Sequence, residues 1–287
     1  MTLEVGGMLG AGVAALVAGV ILARERLRAP SGAERVLVLG PVFWAVSMAE
    51  FAAEHFTAAR DLMGIVPRWL PGPLFWTYFV GVAWLAAAVS FIAWRHVRWS
   101  AGLSALLFLI IVATVSLPGL TKHLHDRFFW ILTVRETAFA GGAMVLAGSV
   151  WGQDGPAGMA MVRIGRLIVA ATMAFYAVEH FLFPKFVPGV PLEKPMPDWA
   201  PVGLSYVVGA SLLAGAFGLM IPRWTRTAAA GCGAVLVLLT AFFYVPIFVM
   251  EMQTPDAVEG LNYVGDTLLW GATVMLAGLG TQGKQPS

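Results

Sequence analysis

The chain of 287 residues contains a single cysteine, Cys232. One cysteine cannot form a disulfide within the chain, and it cannot supply a metal or redox site that needs a pair of cysteines. Two catalytic signatures are absent as well, the HExxH motif of zinc proteases and the GxSxG motif of serine hydrolases. The sequence therefore excludes disulfides within the chain, cysteine-pair sites and these two catalytic motifs. Its charged residues become the main source of functional information.

Charged residues are also scarce. They make up only 12% of the chain, whereas hydrophobic residues make up 59% and the mean hydropathy is +0.80. Soluble domains have about 25% charged residues, so this composition predicts an integral membrane protein whose main partner is the lipid bilayer. The net charge of +2 offers no basic surface for nucleic acid, and we expect no nucleic-acid partner.

The length allows about nine membrane-spanning helices of ~20 residues each, which predicts an all-α polytopic fold with short loops. Of the 18 Lys and Arg residues, eleven fall on the side where the first predicted span ends, and seven fall on the other side. Cytoplasmic loops carry the excess of Lys and Arg. We therefore expect a protein of the bacterial cytoplasmic membrane with its N-terminus outside and its C-terminus in the cytoplasm. The predicted spans are 5–23, 36–56, 74–94, 101–121, 129–150, 162–183, 200–221, 228–250 and 262–280.

An internal repeat organises most of the chain. The tripeptide Glu54-His55-Phe56 recurs as Glu179-His180-Phe181, each time at the end of a long apolar run. The repeat predicts an additional N-terminal helix in residues 1–30, a four-helix unit in 35–150 and a second four-helix unit in 160–282. Since four is an even number, both units should insert with the same orientation, as in transporters built from parallel repeats. Further matches are Tyr78–Gly81 with Tyr206–Gly209, Pro118 with Pro246, and Glu136-Thr137 with Asp266-Thr267.

Short motifs in both halves resemble the DoxX-like family of membrane proteins. They are the helix that ends in His-Phe, the Pro- and Trp-containing loop 65–71, and the start of the next span at Tyr78-x-x-Gly81. Residues 220–226 of the second half are of the same type. One branch of this family is a subunit of thiosulfate:quinone oxidoreductase, and others are linked to redox homeostasis or protein maturation. The resemblance therefore implies a bundled, redox-associated membrane subunit, and no family catalytic residue is carried over to a position in this chain.

Ionisable residues within apolar segments are the first candidates for a functional site, because charge is costly in lipid. Four of them lie at one depth of two hydrophobic segments: Glu54, His55, Glu179 and His180. Successive helical residues are ~100° apart, so Glu54 and His55 should not face the same point, and the stripe that contains Glu50 should face the bundle. One interpretation is a polar chamber near the outer leaflet, lined by Glu50, Glu54 and Glu179. The other is that both motifs reach water and headgroups where their helices end.

A second group of charges lies deeper in the predicted bundle. Arg135, Glu136 and Asp266 lie about two turns inside the fourth span of each predicted repeat. Glu54 or Glu50 would be a suitable partner for Arg135. A buried pair of this kind can be purely structural, fixing the register of two helices. Ionisable residues within a membrane are also candidates for function, so both interpretations stay open.

Metal and haem sites are further alternatives. His123, His125 and Glu251 would lie at the outer ends of the third spans, and imidazole and carboxylate suit Zn, Cu, Fe or Mn. The simpler interpretation of these three residues is the polarity of exposed loops. A haem could take His55 and His180 as its two axial ligands, although paired haem histidines normally lie deeper in the bundle.

Three functional hypotheses follow, and the sequence does not establish whether the protein is an enzyme. The first is a redox-associated subunit that binds a quinone-like or other small apolar molecule at the Glu/His cluster, where Glu and His exchange protons. The second is a carrier for a small solute, with Arg135, Glu136 and Asp266 in its path. The third is a non-catalytic assembly or chaperone subunit whose Pro- and Trp-rich loops, 66–73 and 184–201, bind another membrane or periplasmic protein.

Overall fold

The computed structural model describes residues 2–28, 30–151 and 155–280, and within these ranges it is helical and contains no β-strand. Eight helices are long and apolar enough to cross a membrane. The predicted class, an all-α polytopic membrane protein, is confirmed. The eight helices are α1 (Leu3–Arg28), α2 (Ala33–Thr57), α3 (Pro73–Ala93), α4 (Val97–Lys122), α5 (Arg127–Trp151), α6 (Pro156–Leu182), α7 (Gly203–Met220) and α8 (Thr225–Glu251).

A further helix, α9 (Ala257–Ala277), corresponds to the last predicted span. Its 21 residues would extend about 31 Å, enough to cross the hydrocarbon core of a bilayer. It is less apolar than the other eight helices because Glu259, Asn262 and Asp266 lie in its outer half. Its inner half is buried almost completely, from Leu269 to Ala277. A helix that is enclosed by other helices can carry polar residues that a lipid-facing helix could not.

The helices form one bundle in which sequence neighbours pack together and α9 also contacts α2, α5 and α8. We call the end at which α2 and α6 finish the outer end, and the opposite end the inner end. Basic residues connect helices at the inner end. The Arg26 guanidinium of α1 lies 4.2 Å from the centroid of the Trp94 ring, which follows the end of α3. Arg226 forms an ion pair with Glu34 at the same end, which connects α8 to α2.

Several local features occur once in each half of the chain. The third helix of each predicted repeat contains a π-helical segment, Val112–Ser116 in α4 and Thr240–Tyr244 in α8, and each is followed by a proline. Phe56 stacks on Tyr78 in the first half, and Phe181 stacks on Tyr206 in the second. The division into two four-helix repeats stays a prediction, and these pairs of contacts are the local features that agree with it.

Close packing of α5 against α6 depends on two glycines. A Cβ atom at Gly165 would overlap the backbone carbonyl oxygen of Gly141, which cannot move aside as a flexible side chain would. Small residues allow membrane helices to approach this closely. By contrast, a Cβ atom at Gly231 in α8 would have no atom within 4 Å.

Gly165→Ala should therefore destabilise the protein by about 1–3 kcal/mol, because α5 and α6 must separate. Gly231→Ala is the matched control, and it should be neutral or stabilising by up to ~1 kcal/mol, since alanine favours a helix more than glycine does. The measurement is the apparent unfolding temperature of each variant in detergent. Equal temperatures for the two variants would contradict the packing described for Gly165.

Candidate functional site

A cavity of about 630 Å³ lies in the outer half of the bundle between α2, α3, α4, α5 and α9. Its walls are mainly apolar and aromatic, with Phe51, Trp84, Phe108, Phe139 and Leu269 among the lining residues. Sites for small organic ligands typically have volumes of about 300–1,000 Å³ and predominantly apolar walls with a few polar groups. The size and lining of this cavity therefore suit a small apolar or amphiphilic molecule.

The cavity is covered at the outer end by the 58–72 loop, which connects α2 to α3. Residues of this loop line the cavity, and two of them are also exposed to the surroundings, Ile65 at 59% and Trp69 at 70%. The loop is fixed to the start of α3, where Trp76 Nε1 donates a hydrogen bond of 3.0 Å to the Pro71 carbonyl oxygen. An apolar, tryptophan-containing loop of this kind is typical of the membrane interface.

The cavity also reaches the outside of the bundle between α3 and α4. Phe79 and Ile110 line the cavity, and both have exposed side chains on the outer surface of their helices. Thr114, which lies in the π-helical segment of α4, is also a lining residue. These residues therefore contribute both to the cavity lining and to the exposed side of α3 and α4, the side that faces lipid in a membrane-spanning bundle.

One wall of the cavity is polar, and its contacts join four helices, α2, α4, α5 and α9. Asn262 Nδ2 of α9 donates a hydrogen bond of 2.9 Å to Glu54 Oε1 of α2. Arg135 of α5 forms an ion pair with Asp266 of α9. Glu136 accepts a hydrogen bond from Ser116 Oγ. The structure therefore brings together four of the ionisable residues that the sequence singled out, and it adds Asn262 to them.

The partner of Arg135 was predicted incorrectly. The expected partner was Glu54 or Glu50, but the structure pairs Arg135 with Asp266. The reason is the position of α9, which packs against both α2 and α5 and places Asp266 next to Arg135. Glu50 lies outside the cavity wall, where its carboxylate is close to Gly265 of α9 and to Gly12 of α1.

His55 lies in the cavity wall beside Glu54, although the two neighbours point in different directions from α2 because successive side chains leave a helix ~100° apart. The cavity of about 630 Å³ is wide enough for both side chains to reach its wall. His55 Nδ1 lies 2.8 Å from the Phe51 carbonyl oxygen. A neutral ring that donates from Nδ1 has its lone pair on Nε2, which can accept a hydrogen bond from a ligand.

In the second half, Glu179 and His180 have structural contacts. The Gly189 backbone N–H donates a hydrogen bond of 2.8 Å to His180 Nε2, and His180 Nδ1 lies 2.5 Å from the Tyr176 carbonyl oxygen. Glu179 forms an ion pair with Arg127, which also donates a hydrogen bond to the Pro191 carbonyl oxygen. Because both nitrogens of His180 are engaged, this residue has no free nitrogen for a haem iron.

These contacts hold the 183–202 loop inside the second half. Val187 and Val190 are fully buried, and a Cβ atom at Gly189 would contact Leu239 of α8. Tyr244 donates a hydrogen bond of 2.5 Å to the Pro188 carbonyl oxygen. The chain itself thus fills the space beside His180, whereas the space beside His55 is a cavity. Of the three glutamates in the polar-chamber interpretation, Glu50, Glu54 and Glu179, only Glu54 lines the cavity.

The candidate metal ligands are not brought together. His123 and His125 are exposed, and the His123 ring stacks on Phe129. Glu251 instead forms an ion pair of 2.9 Å with Lys194. Within the described ranges, no three His, Cys, Asp or Glu side chains form a group that could hold a metal ion.

A second cavity, of about 1,010 Å³, opens at the outer end between the 183–202 loop and the start of α9. We call it the outer cleft. Lys194 lies in its wall and forms ion pairs with Glu251 and Glu259. Partial burial lowers the pKa of Lys194, but the hydrogen bonds and charges of the two glutamates outweigh burial and raise it above its ordinary value. The acidic lining residues of the cleft are Glu193, Asp198, Glu251, Asp256, Glu259 and Asp266.

Sequence reasoning missed several residues of these sites. Arg127 and Lys194 entered only the count of basic residues in loops, and Asn262 and Ser116 were not considered. Asn262 could have been recognised in the sequence, because a polar amide side chain is unusual within a predicted membrane span. Ser116 could not, since a serine in an apolar helix is common and its partner Glu136 lies on another helix.

Comparison with known proteins gives one partial match. A family model described as a domain of unknown function (DUF8561) matches residues 44–127. No curated protein and no solved structure matches the chain. The matched residues extend from α2 to the first residue of α5. They include Glu54, His55 and the 58–72 loop, but they do not include Arg135 or Asp266.

Proposed function

We propose that the protein binds a quinone-like, membrane-dissolved molecule in the cavity between α2, α3, α4, α5 and α9. The observation that carries the proposal is the combination of apolar, aromatic walls with one polar wall in a cavity that reaches the lipid-facing surface. A molecule that partitions into the bilayer can reach such a site laterally. A strongly hydrated solute would have to lose its water before it crossed the same apolar surface.

The chemistry of the walls matches a quinone headgroup. A quinone has a flat apolar ring, which suits walls such as Phe51, Phe108 and Phe139. Its carbonyl oxygens need hydrogen-bond donors, and protonated Glu54 and the Asn262 amide are suitable. In the quinol form the hydroxyl groups need acceptors, and ionised Glu54 and His55 Nε2 are suitable. The same wall can therefore bind both protonation states of the headgroup.

The resemblance to the DoxX-like family supports a redox-associated role for this binding. In that role the protein is a membrane subunit, Glu54 and His55 exchange protons with the headgroup, and a partner protein provides or accepts the electrons. The recurring contacts of the two halves support a duplicated four-helix unit in which the space beside His55 is a cavity and the corresponding space beside His180 is filled by the 183–202 loop. The excess of Lys and Arg at the inner end supports an orientation with that end in the cytoplasm of a bacterium.

A photoreactive quinone tests this proposal directly. The purified protein in lipid vesicles is irradiated with a diazirine analogue of a short-chain ubiquinone, and the modified peptides are mapped by mass spectrometry. We expect labels on the 58–72 loop and on the cavity-facing sides of α3 and α4. An excess of the underivatised quinone should reduce these labels at least tenfold. Labels that are spread evenly over lipid-facing residues, and that do not respond to competition, would overturn the proposal.

A further inference from the structure

The membrane cavity and the outer cleft share part of their walls. Asn262 and Asp266 line both of them. These residues are four apart in α9, so they lie on one face of the helix, one turn above the other. On one side of this face is the apolar cavity that contains Glu54, and on the other is the cleft at the outer end. The two spaces therefore meet at two polar side chains, which form their shared wall.

The outer cleft is suited to hold water and cations. Glu193, Asp198 and Asp256 are exposed in its walls, and its only lining lysine, Lys194, is paired with Glu251 and Glu259. A cleft lined by charges of one sign raises the local concentration of ions of the opposite sign, including hydrated protons. The cleft therefore connects the outer solution with the shared wall.

The shared wall has unused hydrogen-bonding capacity. Asn262 Oδ1 and Arg135 Nε are buried and have no hydrogen-bond partner among the described residues. Buried polar atoms are usually hydrogen-bonded to protein or to ordered water, so these two atoms mark positions where a water molecule or a polar ligand atom would bind. Asn262 bonds to Glu54, and Arg135 pairs with Asp266. A water molecule bound to either atom would therefore lie beside the wall that the cleft and the cavity share.

The inner part of the cavity has no ionisable lining residue. Its lining residues there are aromatic and aliphatic, and they include Trp84, Phe108, Phe139 and Leu269. Below them α9 is buried from Leu269 to Ala277, and its only polar side chains in that stretch are Trp270 and Thr273, whose Nε1 and Oγ1 atoms have no partner among the described residues but carry no charge. A proton could not cross this region without a chain of polar groups or water.

We propose that the polar wall of the cavity exchanges protons with the outer solution through the cleft, at Asp266 and Asn262. A proton passes from water in the cleft to a water molecule hydrogen-bonded to Asn262 Oδ1, which gives up a proton of its own to a carboxylate oxygen of Glu54. Glu54 then passes a proton to an oxygen atom of the ligand. Release follows the reverse route. Only O–H bonds are made and broken, and no electron is transferred. The ligand step rests on the proposed function, whereas access of water to Asn262 and Glu54 does not.

Cysteine accessibility tests the route. Asn262→Cys and Glu54→Cys are made separately in protein reconstituted with its outer end facing the bath, and each is treated with a membrane-impermeant, cationic methanethiosulfonate. This reaction needs water and the loss of the thiol proton at the cysteine. We expect both variants to react from the outer side, at least tenfold faster than Leu269→Cys, which lies in the apolar part of the cavity. Unsubstituted protein, with only buried Cys232, gives the background.

The outcomes separate the two proposals. Failure of both variants to react from the outer side, while Glu259→Cys in the cleft reacts, would overturn the route, as would reaction from the inner side only. If either Asn262→Cys or Glu54→Cys does not fold, the reaction rate of the other variant decides the test. Quinone binding is judged separately, by photolabelling of the unsubstituted protein, because Glu54→Cys itself lacks a group that the headgroup needs. Labels that do not respond to competition there would contradict quinone binding and leave the route intact.

Discussion

Asp266→Ala should destabilise the protein by about 3–5 kcal/mol, because it leaves the Arg135 guanidinium charged and unpaired in the bundle. The two side chains are only 13% and 14% exposed, so water at the shared wall replaces the lost carboxylate only in part. The measurement is the apparent unfolding temperature in detergent, together with the fraction of protein that elutes as a monodisperse peak. Glu34→Ala is the matched control. It removes an ion pair with Arg226 at the inner surface, where the side chains are 39% and 49% exposed, and it should cost no more than about 1 kcal/mol.

A second variant shows whether the loss of stability in Asp266→Ala comes from the unpaired charge of Arg135. Arg135→Met combined with Asp266→Leu removes both charges and keeps similar volumes. Replacement of a buried ion pair by apolar residues is often neutral or stabilising. The double variant should therefore be more stable than Asp266→Ala, and it should fold even though the polar wall of the cavity has lost its deepest pair. If the double variant were as unstable as Asp266→Ala, the ion pair would be needed for more than the neutralisation of two charges.

The helices could be predicted from the sequence because lipid imposes a simple rule. Every backbone group within the membrane must be satisfied internally, so long apolar segments become helices. Each predicted span overlaps one of the nine helices. A helix is present over the last predicted span despite Asp266, although it is not among the eight helices that are apolar enough to cross a membrane. Its central position could not be predicted, because apolarity indicates membrane insertion and not which helix is enclosed by the others.

The site was predictable only in part, because the sequence shows which residues are unusual and not what they contact. Glu54 and Glu179 are both followed by His-Phe, yet Glu54 bonds to Asn262 in a cavity wall and Glu179 pairs with Arg127. The difference arises from the 183–202 loop. Its buried valines are separated by Pro188 and Gly189, so no regular spacing marks them as part of a core. A repeat in sequence therefore did not imply a repeat of the site.

This asymmetry also has a physical explanation. Two open cavities in one bundle would leave many apolar side chains without packing partners, and each such void costs stability. The second half avoids this cost because its own loop supplies Val187 and Val190 as packing partners. The first half keeps its cavity, and its shorter 58–72 loop covers the outer end without entering the bundle. Ligand binding would supply the missing contacts in the first half.

Val80→Trp should reduce photolabelling of the cavity by the quinone analogue at least tenfold, which corresponds to a loss of about 1.4 kcal/mol in binding. Val80 lines the cavity from α3 and is partly buried, so the larger indole would occupy the space that the headgroup needs. The measurement is the labelled fraction of the 58–72 loop as a function of the analogue's concentration. The protein should still fold, because the added side chain enters an existing cavity and does not have to displace a packed neighbour.

Val82→Trp is the matched control for this prediction. Val82 lies two residues further along α3, is 57% exposed and is not among the cavity-lining residues, so its replacement adds an indole to the outer surface of the bundle. Labelling should then be the same as in unsubstituted protein. Equal loss of labelling in both variants would mean that tryptophan disturbs α3 generally. Unchanged labelling in Val80→Trp, with the variant folded, would show that the quinone binds elsewhere, and the cavity would lose its proposed role.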